Sequence, residues 1–558
     1  MGMGNNIMKT QVFTTLTAIV ALSCAMPVAA QDAAPPQRDD NRSAGAGSGR
    51  VEVTPYIEAS QVLLAEISPG DEVVTYSQLA AGVEASIQGR NNAASVSLRY
   101  ERNIGWDDDV ADSDSISGVA RGYTTITPGL TIEAGALAAR TQVDGNGGTT
   151  LNALDTRTDS ESTIYSAYAG PTLVTRAGDV AIDANYRFGY NAVDAPDALI
   201  ATPGAAPVDV FDDSTVHSAN IHAGIAPNEP LPVGLGVGAG FFQEDVSNLD
   251  QRVRDAYVRG DVTVPVGPDL ALVAGVGYEN VEISGRDAVR DANGVPVVGA
   301  DGRLVTDNSE PRQIAFETDG LIWDAGVVWR PSRRTALEAH VGKRYDSTSY
   351  YGSFAWAPSS RSSLNVSVYD SVSGFGGQFN QAIANLPTDF EANRNLLTGD
   401  LTGCVASLEG SACFGNAFNS VRSSTFRGRG VVASYARQIG RFSTGIGAGY
   451  DRRKFIAAPG TILASANGVV DESYFLTSYF SGQLDARSSF SVNAYANWLN
   501  SGFDGGDTTV LGASAAYSRN LLAGLSARAA VGVDYLDTDA AGDDLTTASA
   551  LFGLRYDF

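Results

Sequence analysis

Three histidines, His217, His222 and His340, are the side chains whose type and spacing could support metal binding or general acid–base chemistry. His217 and His222 stand five positions apart in one predicted strand, so their side chains point to opposite faces and cannot bind one metal ion together. Neither lies in an obvious Ser/His/Asp grouping. His340 alternates with Glu338 and Arg344 on a polar strand face and is interpreted as an ordinary lumen residue. The sequence therefore predicts no catalytic residue, no cofactor, no metal site and no enzyme.

Glycine-rich stretches at 234–240 and 445–449 were considered as phosphate-binding loops. Such a loop requires a helix directly after the glycines and a suitably placed lysine, and neither is present. Glycine at every second position instead places all the glycines on one face of a strand. They are predicted to thin the wall or to let neighbouring side chains lie across it.

Cys404 and Cys413 lie nine positions apart in a Gly/Ser-rich segment. In an exported chain such a pair predicts one loop disulfide, and a metal site is the weaker alternative because no histidine lies nearby. Both cysteines fall within residues 374–421, the longest stretch outside the predicted strands. Loops of this length are usually functional or disordered, and the cysteines argue against full disorder. The direction in which this loop folds is left open.

The elements that carry these residues are predicted to be strands with one apolar and one polar face. Between Val180 and Asn191, apolar and aromatic residues alternate with aspartate, asparagine and arginine, and period-2 alternation indicates a half-buried strand. From Val51 onward the chain divides into about 22 such strands, joined alternately by short turns and longer loops. The division is weakest at Ser349–Ser373, where the short loop near Asp346 has a bulge as its alternative. With a bulge, the strand count is 18 to 20.

The segment from Ala548 to Phe558 alternates over a length that suffices for a tilted strand to cross a bilayer. It resembles the closing strand of Gram-negative outer-membrane β-barrels, which typically ends in an aromatic residue read by the assembly machinery. Gly553, Tyr556 and Phe558 fit that pattern, whereas Leu551 departs from it because a polar residue is preferred there. The resemblance implies the barrel assembly machinery, outer-membrane lipid and lipopolysaccharide as partners.

Together these features predict an all-β fold, a large closed antiparallel transmembrane β-barrel over residues 51–558 in the cell outer membrane. Short turns are expected on the periplasmic side and long loops outside, which is the usual layout of bacterial barrels. Closure also removes the exposed strand edges of an open sheet. The oligomeric state is not indicated.

Charged residues on the polar strand faces are expected inside this barrel, where a wet lumen or ion pairing across strands makes them tolerable. An open channel and a lumen closed by ion pairs and inserted loops remain alternatives. The candidate lumen-lining residues are Arg99, Glu101, Asp183, Arg187, Arg259, Asp261, Arg427, Arg429, Arg528, Asp534 and Arg555.

The N-terminal 30 residues are predicted to be a secretory signal peptide, cleaved after Ala30, with Lys9 as the basic residue before a short apolar run. Translation starting at Met8 is an alternative, and lipidation at Cys24 is disfavoured by the residues before it. Residues 31–50 are rich in Pro, Gly, Ser, Asp and Arg and are expected to form a disordered periplasmic leader, too short for a plug domain.

The composition is strongly acidic. Removing Lys9 from 38 Lys+Arg leaves 37, and 37 − 63 gives a net charge of −26 for the chain after the signal peptide. Nucleic-acid binding requires basic patches, so this class of partner is excluded. The leading functional prediction is a porin-like channel for passive passage of small hydrophilic solutes. The alternatives are an export or scaffolding barrel with periplasmic partners, for instance in surface-polysaccharide secretion, and, with no motif support, an outer-membrane enzyme.

Overall fold

The computed structural model describes residues 50–106, 112–143, 149–150, 161–194, 213–228, 230–409, 413–418, 424–503, 507–538 and 544–558. The predicted signal peptide and residues 31–49 of the predicted leader lie outside these ranges. Arg50, assigned to the leader from sequence, is the first residue of a strand. No helix in the described ranges is long and apolar enough to span a membrane.

Twenty-two strands of the described ranges form one ring-shaped sheet, as the alternation and turn pattern predicted. A further strand of two residues, Thr149–Thr150, pairs with the end of β5. In chain order the ring strands are β1 Arg50–Ser68, β2 Val73–Gln88, β3 Asn92–Gly105, β4 Ser113–Thr127, β5 Leu130–Val143, β6 Glu161–Ala177, β7 Val180–Asp194, β8 Asp213–Ile225, β9 Gly234–Val246, β10 Gln251–Pro265, β11 Leu270–Gly285, β12 Gln313–Ser332, β13 Thr335–Arg344, β14 Ser347–Ser359, β15 Ser362–Ser373, β16 Phe426–Ile439, β17 Phe442–Phe455, β18 Val470–Gln483, β19 Ser488–Asn500, β20 Thr508–Leu522, β21 Leu525–Thr538 and β22 Leu545–Asp557.

Each strand pairs in antiparallel fashion with the next along the chain, and the last strand pairs with the first. The β1–β22 register runs from Tyr56 opposite Asp557 to Ser68 opposite Thr546. Pairing also continues across the longest connection, where Ser373 at the end of β15 lies opposite the first residue of β16. Every ring strand therefore has a paired neighbour on each side, which is the condition for backbone satisfaction in a membrane. The short β13–β14 hairpin leaves the part of β12 before Trp323 paired with β11 alone.

The connection between β13 and β14 settles the strand count. Tyr345 and Asp346 both have positive φ, 54° and 51°, which is the conformation of a two-residue mirror-image hairpin turn. The chain therefore reverses completely at this point, and β14 and β15 are separate strands. The alternative count of 18 to 20, which required a bulge here, is wrong.

The two faces of the ring differ in polarity. Along β3, Ser97, Arg99 and Glu101 are buried inside the ring, whereas Tyr100 points outward. On β22, Phe552 points outward with 64% of its surface exposed. Large apolar residues exposed on the outer face include Leu79, Val258, Val276, Leu321, Val341, Phe480, Val531 and Phe552. An apolar exterior around a polar interior is the arrangement of a barrel in lipid.

The segment between β15 and β16 folds into the ring. Residues 374–418, here called the plug and described at 374–409 and 413–418, contain the helix α1 Phe375–Ala384. A short hairpin follows, formed by Glu391–Arg394 and Leu401–Ala406, and then a single helical turn at Gly415–Phe418. The plug is the main structural element inside the barrel.

Candidate functional site

Helix α1 of the plug begins at a buried carboxylate of the barrel wall. Glu244 of β9 accepts hydrogen bonds from the backbone N–H groups of Gly374, at 2.7 Å, and Gly376, at 2.9 Å. The first N–H groups of a helix lack partners within it and carry partial positive charge, so a carboxylate stabilises them. Glycine favours this approach, because a Cβ on Gly376 would displace the side-chain ends of Ser214 and Asn191.

The body of α1 is held by polar and apolar contacts with the wall. Asn380 donates hydrogen bonds to Ser166 Oγ at 2.9 Å and Asn191 Oδ1 at 3.1 Å. Fully burying a large apolar side chain is worth about 1.5–3 kcal/mol, so the shared apolar cluster is the main reason that this loop lies inward. The cluster joins Phe375, Phe379, Ile383, Leu386, Phe390, Leu401, Val405, Phe414 and Phe418 of the plug to Val119, Leu137, Ile164, Tyr168 and Val193 of the wall.

The tip of the plug hairpin, residues 395–400, lies on a buried charged network of β1 and β3. Arg99 ion-pairs with Glu58 and, at 2.9 Å, with Glu101. A side chain on Gly399 would meet both Arg99 and Glu101, so the tip rests directly on these charges. Buried ions are tolerated only when paired and hydrogen-bonded, and this network satisfies that condition.

Arg394 joins the plug to two separate parts of the wall. Its guanidinium donates to Ser117 Oγ at 2.7 Å and Ser97 Oγ at 2.8 Å. Its backbone carbonyl accepts a hydrogen bond from Asn493 of β19 at 2.8 Å. On the same side, Arg528 of β21 donates to a plug carbonyl, that of residue 396, at 2.8 Å. The hairpin is thereby fixed between β3–β4 and β19–β21.

Leu397 at the hairpin tip explains the one departure of the terminal strand from its family pattern. Leu397 is fully buried in a cluster with Val62, Tyr76, Ala530 and Leu551. Leu551 stands on the inner face of β22, where a polar residue is usual. Here an apolar residue is favoured because it packs on the plug instead of facing water.

Cys404 and Cys413 form a disulfide at the far side of the plug, as their spacing predicted. The bond packs on Val432 and Phe475. A Cβ on Gly447 of β17 would clash with both sulfur atoms, so one glycine of the 445–449 stretch provides the space in which the disulfide lies.

The plug crosses the whole lumen. Its helix contacts β7 and its disulfide contacts β18, and 18 − 7 gives eleven strands, half of the ring of 22. The two ends of the plug are therefore held by opposite walls. Ring closure, the outward apolar surface and the polar interior together decide the class of protein. The chain forms a β-barrel of the kind that spans a lipid bilayer.

Among solved structures, the barrel resembles three receptors or transporters at low similarity. The FrpB iron transporter from Neisseria meningitidis (F5-1 variant) aligns over 90% of this chain and 82% of that chain, at 10% identity and a TM-score of 0.41. The open form of the ferric-catecholate import receptor Fiu from E. coli K12 aligns over 90% and 81%, at 11% identity and a TM-score of 0.42. The alcaligin outer-membrane receptor FauA from Bordetella pertussis aligns over 90% and 76%, at 12% identity and a TM-score of 0.36.

No family model and no curated protein matches the sequence. With TM-scores below 0.5, the structural resemblances carry no functional argument. The interpretation of the lumen rests on its own geometry.

The inner faces of β10 to β14, here called the charged arc, carry a second polar network. Arg259 binds Asp324 through two hydrogen bonds, at 2.6 and 2.8 Å. His340 contacts the other side of Asp324 at 3.0 Å and Glu338 at 3.2 Å, and its ring stacks on Tyr351 with centroids 4.6 Å apart. The histidine is thus fixed between two carboxylates and an aromatic ring.

Towards the long-loop end of the charged arc, Arg344 is the central residue. It donates to Asp255 at 2.8 Å and to Glu279 at 3.1 Å. Tyr345 of the hairpin turn donates its hydroxyl to Asp255 at 3.0 Å. Within the described ranges, no group of three or more histidine, cysteine or acidic side chains has the arrangement of a metal site.

The eleven candidate lumen residues have different surroundings. Arg99, Glu101 and Arg528 contact the plug or its supporting network, and Arg259 and Asp261 lie in the charged arc. The remaining contacts on the inner face are Arg187 with Glu133 at 2.5 Å, Asp534 with the Tyr495 hydroxyl, and Arg555 with Glu58 at 3.2 Å and over the Tyr56 ring at 3.7 Å. Asp183 is exposed near the short-turn end of β7.

Arg427 and Arg429 contact the hairpin turn between β13 and β14, where Arg427 lies over the Tyr345 ring at 5.0 Å and Arg429 donates to the Thr348 carbonyl at 2.6 Å. They alternate with Gly428 and with Val432, and Val432 packs inward on the disulfide. The two arginines stand on the opposite side of β16, where both bind Asp370. Val372, which lies opposite Arg427, packs with Val253 and Tyr345, so this side is also covered by the charged arc.

The three histidines occupy three environments. His217 lies on the outer face against Tyr186 and Phe188. His222 lies on the inner face, where it contacts Asp261 at 3.1 Å. This is the division between opposite faces that their five-residue spacing predicted.

Sequence reasoning missed Glu244, Asn380 and Arg394. Glu244 stands near the end of the glycine-rich strand β9. Its partners belong to a Gly-X-Gly-Gly segment much later in the chain, so no local pattern marks this carboxylate. Asn380 and Arg394 belong to a loop whose direction the sequence leaves open.

Proposed function

We propose that this barrel is a porin-like channel for small hydrophilic solutes, in which the plug narrows the lumen and solutes pass along the charged arc. The observation that carries the proposal is a difference in exposure between two parts of the inner wall. Beneath the plug, the side chains of Arg99 and Glu101 are 5% and 2% exposed. In the charged arc, the side chain of Glu338 is 47% exposed and Tyr351 is also exposed, whereas Asp255, Glu279 and His340 of the same arc are buried.

The exposed side chains of the arc are those that a hydrophilic solute can contact. Carboxylates, arginines and tyrosine hydroxyls replace part of a solute's hydration shell, which lowers the cost of entering a narrow pore. The inner wall beneath the plug cannot serve this purpose, because its polar groups are covered, whereas Glu338 and Tyr351 are exposed. The arc therefore defines the proposed path.

The charge of the arc favours cations. Its inner face carries five carboxylates, those of Asp255, Asp261, Glu279, Asp324 and Glu338, and three arginines, Arg259, Arg330 and Arg344. Five negative and three positive charges leave two negative charges in excess, and His340, held between two of these carboxylates, can offset at most one of them. Because selectivity follows the charges that line the pore, the channel is proposed to prefer cations over anions.

Permeation is tested with the purified barrel in liposomes and a series of neutral sugars of increasing size. We expect rapid swelling with the smallest sugars and a sharp decline with size, because the plug leaves only the arc. Liposomes that do not swell even with the smallest sugar would contradict the channel. That result would favour the alternative of an export or scaffolding barrel that acts through periplasmic partners.

The path itself is tested by Glu338→Gln. Removing the most exposed carboxylate of the arc should shift the reversal potential in a KCl gradient towards lower cation preference. Glu472→Gln, which removes a carboxylate from the outer face of β18, is the matched control and should leave the reversal potential unchanged. Equal reversal potentials for wild type and Glu338→Gln would place the path elsewhere in the lumen.

A further inference from the structure

Arg344, the last residue of β13, binds two carboxylates that belong to other strands. Its guanidinium donates to Asp255 of β10 at 2.8 and 3.0 Å and to Glu279 of β11 at 3.1 Å. In the ring, β12 lies between β13 and these two strands. The side chain therefore reaches across the inner face of β12 to a site that its own strand does not form.

Aromatic rings complete this site. The Arg344 guanidinium carbon lies 4.6 Å from the centroid of the Tyr257 ring and 4.7 Å from that of the Tyr345 ring. Both carboxylates, those of Asp255 and Glu279, are buried. Two buried carboxylates and an aromatic face suit a guanidinium better than an ammonium, because the guanidinium is planar, donates along fixed directions and is more weakly hydrated. The chemistry of the site is therefore that of a guanidinium ligand.

The site is open to the lumen on one side and closed on the other. The Arg344 side chain is 25% exposed, and Arg259 of the charged arc follows Tyr257 on the same face of β10. A solute in the lumen can thus reach the site. Towards the long-loop end, the β13–β14 turn closes the arc, because Tyr345 is buried in an apolar cluster with Val253, Val281, Ile283 and Val372.

Side-chain contacts hold the β13–β14 turn against β10 and β11. Backbone pairing of β12 with β13 ends where Trp323 lies opposite Lys343, and the described register contains no pair beyond it. The turn reaches the wall through the guanidinium, the Tyr345 N–H on Glu279 at 2.6 Å and the Tyr345 hydroxyl on Asp255 at 3.0 Å. All of these hydrogen bonds end on the same two carboxylates. A ligand that binds the carboxylates therefore competes with the whole turn.

We propose that Asp255, Glu279 and Tyr257 form a binding site for guanidinium solutes, which Arg344 occupies as a built-in competitor. A solute with a guanidinium group replaces the arginine, and the turn then leaves the wall and opens the outer end of the charged arc. The role of this exchange in permeation rests on the proposed path along the arc. Binding of the guanidinium at the site does not depend on that path.

Binding is tested by isothermal titration calorimetry on the detergent-solubilised barrel with Arg344→Ala. The probe is ethylguanidinium, which replaces the atoms of the arginine side chain beyond Cβ. We expect saturable binding to the variant and at least tenfold weaker binding to wild type, where the arginine competes. Adding Glu279→Gln to Arg344→Ala should weaken binding about tenfold or more, because hydrogen bonds to charged groups are the strong ones.

Liposome swelling separates this site from the proposed channel. Probe binding by a barrel whose liposomes do not swell even with the smallest sugar would support the site and contradict the channel. Swelling without probe binding to Arg344→Ala would overturn the site and leave the channel in place.

The matched control is Lys343→Ala, which removes the neighbouring cation of the same turn, ion-paired with Asp346 at 2.8 Å. It should bind ethylguanidinium no more tightly than wild type does. Heat-modifiable mobility on gels verifies folding, and Arg344→Gln, with the same expected result, is used if the alanine variant does not fold. The proposal is overturned if the folded Arg344 variant does not bind the probe, if Lys343→Ala binds it equally well, or if propylammonium binds as tightly as ethylguanidinium.

Discussion

At the scale of single residues, Glu244 links the wall to the plug through its carboxylate. Each of its oxygens accepts a backbone N–H group at the start of α1, from Gly374 and Gly376. Such charge-assisted hydrogen bonds are stronger than neutral ones, and leaving a buried donor without a partner costs more than the bond itself contributes. The carboxylate therefore holds the part of the plug nearest β15.

Glu244→Gln should loosen α1 without unfolding the barrel. Glutamine has one acceptor oxygen, so one N–H group loses its partner, at a cost of about 1.5–3 kcal/mol. Hydrogen exchange of the amides of residues 375–384 should accelerate about tenfold or more. Glu472→Gln, on the outer face, should leave these amides as protected as in wild type. Equal protection of α1 in Glu244→Gln would show that the apolar cluster alone holds the helix.

Residue-level prediction from sequence depended on how clearly each strand alternates. Arg99, Glu101 and Arg528 were assigned to a polar face because apolar residues surround them at every second position. Arg427 and Arg429 mark the limit of this pattern, because both faces of β16 are covered by other parts of the chain at this end and neither needs to be apolar. The alternation is visible in the sequence because one strand face meets lipid and the other meets the lumen. Beyond the lipid this difference between the two faces is lost.

At the scale of elements, the disulfide stabilises the far end of the plug. Closing a ring of this size is worth about 2–3 kcal/mol in the chain-entropy account. The ring sheet does not depend on it, since β16 and β17 pair along their full length without it. The bond therefore orders the plug, and the barrel is held by other interactions.

Cys404→Ser with Cys413→Ser should leave a folded barrel with a looser plug. Single-channel recordings should show a larger or noisier current, because the plug lies inward and its far end loses its covalent restraint. Reduction of the wild-type protein should reproduce this behaviour and should have no effect on the double variant. A current unchanged by both treatments would show that the disulfide does not control plug order.

The terminal strand β22 is the element on which assembly is expected to depend. The rings of Tyr556 and Phe558 pack edge to face with centroids 5.0 Å apart, and the Phe558 N–H donates to the Pro55 carbonyl at 3.0 Å. Deleting Phe558, or Tyr556→Ser with Phe558→Ser, should reduce insertion into the outer membrane and leave export across the inner membrane intact. Tyr517→Ser with Phe480→Ser removes two other outward aromatic residues as a control. Normal amounts of heat-modifiable barrel from the terminal variants would contradict this role.

Strands and plug differ in how far sequence reasoning reaches. A strand of the ring is recognised from about ten consecutive residues, because its alternation is local. The plug is defined by partners that are remote in sequence, such as the Ser95 hydroxyl and the Thr388 carbonyl, 293 positions apart. No local pattern in 374–418 indicates that its apolar residues meet Val119 or Ile164 inside the barrel.

At the scale of the whole molecule, the barrel and the plug form two levels of one structure. The ring provides hydrogen-bond partners for the backbone groups of its strands and presents an apolar surface to lipid. It closes across the plug connection because Ser373 pairs with Phe426. The plug then occupies part of the lumen, where the apolar cluster and its hydrogen bonds to the wall hold it. Removing it should therefore leave the ring intact.

The most direct test of this account replaces residues 374–425 with an Asn-Gly turn. Because Ser373 and Phe426 already lie opposite one another, a two-residue hairpin can join β15 to β16 without changing their register. The account predicts a folded, heat-modifiable barrel whose single-channel conductance is several times that of the wild type and whose cation preference is weaker. A folded variant with the conductance of the wild type would contradict a lumen narrowed by the plug.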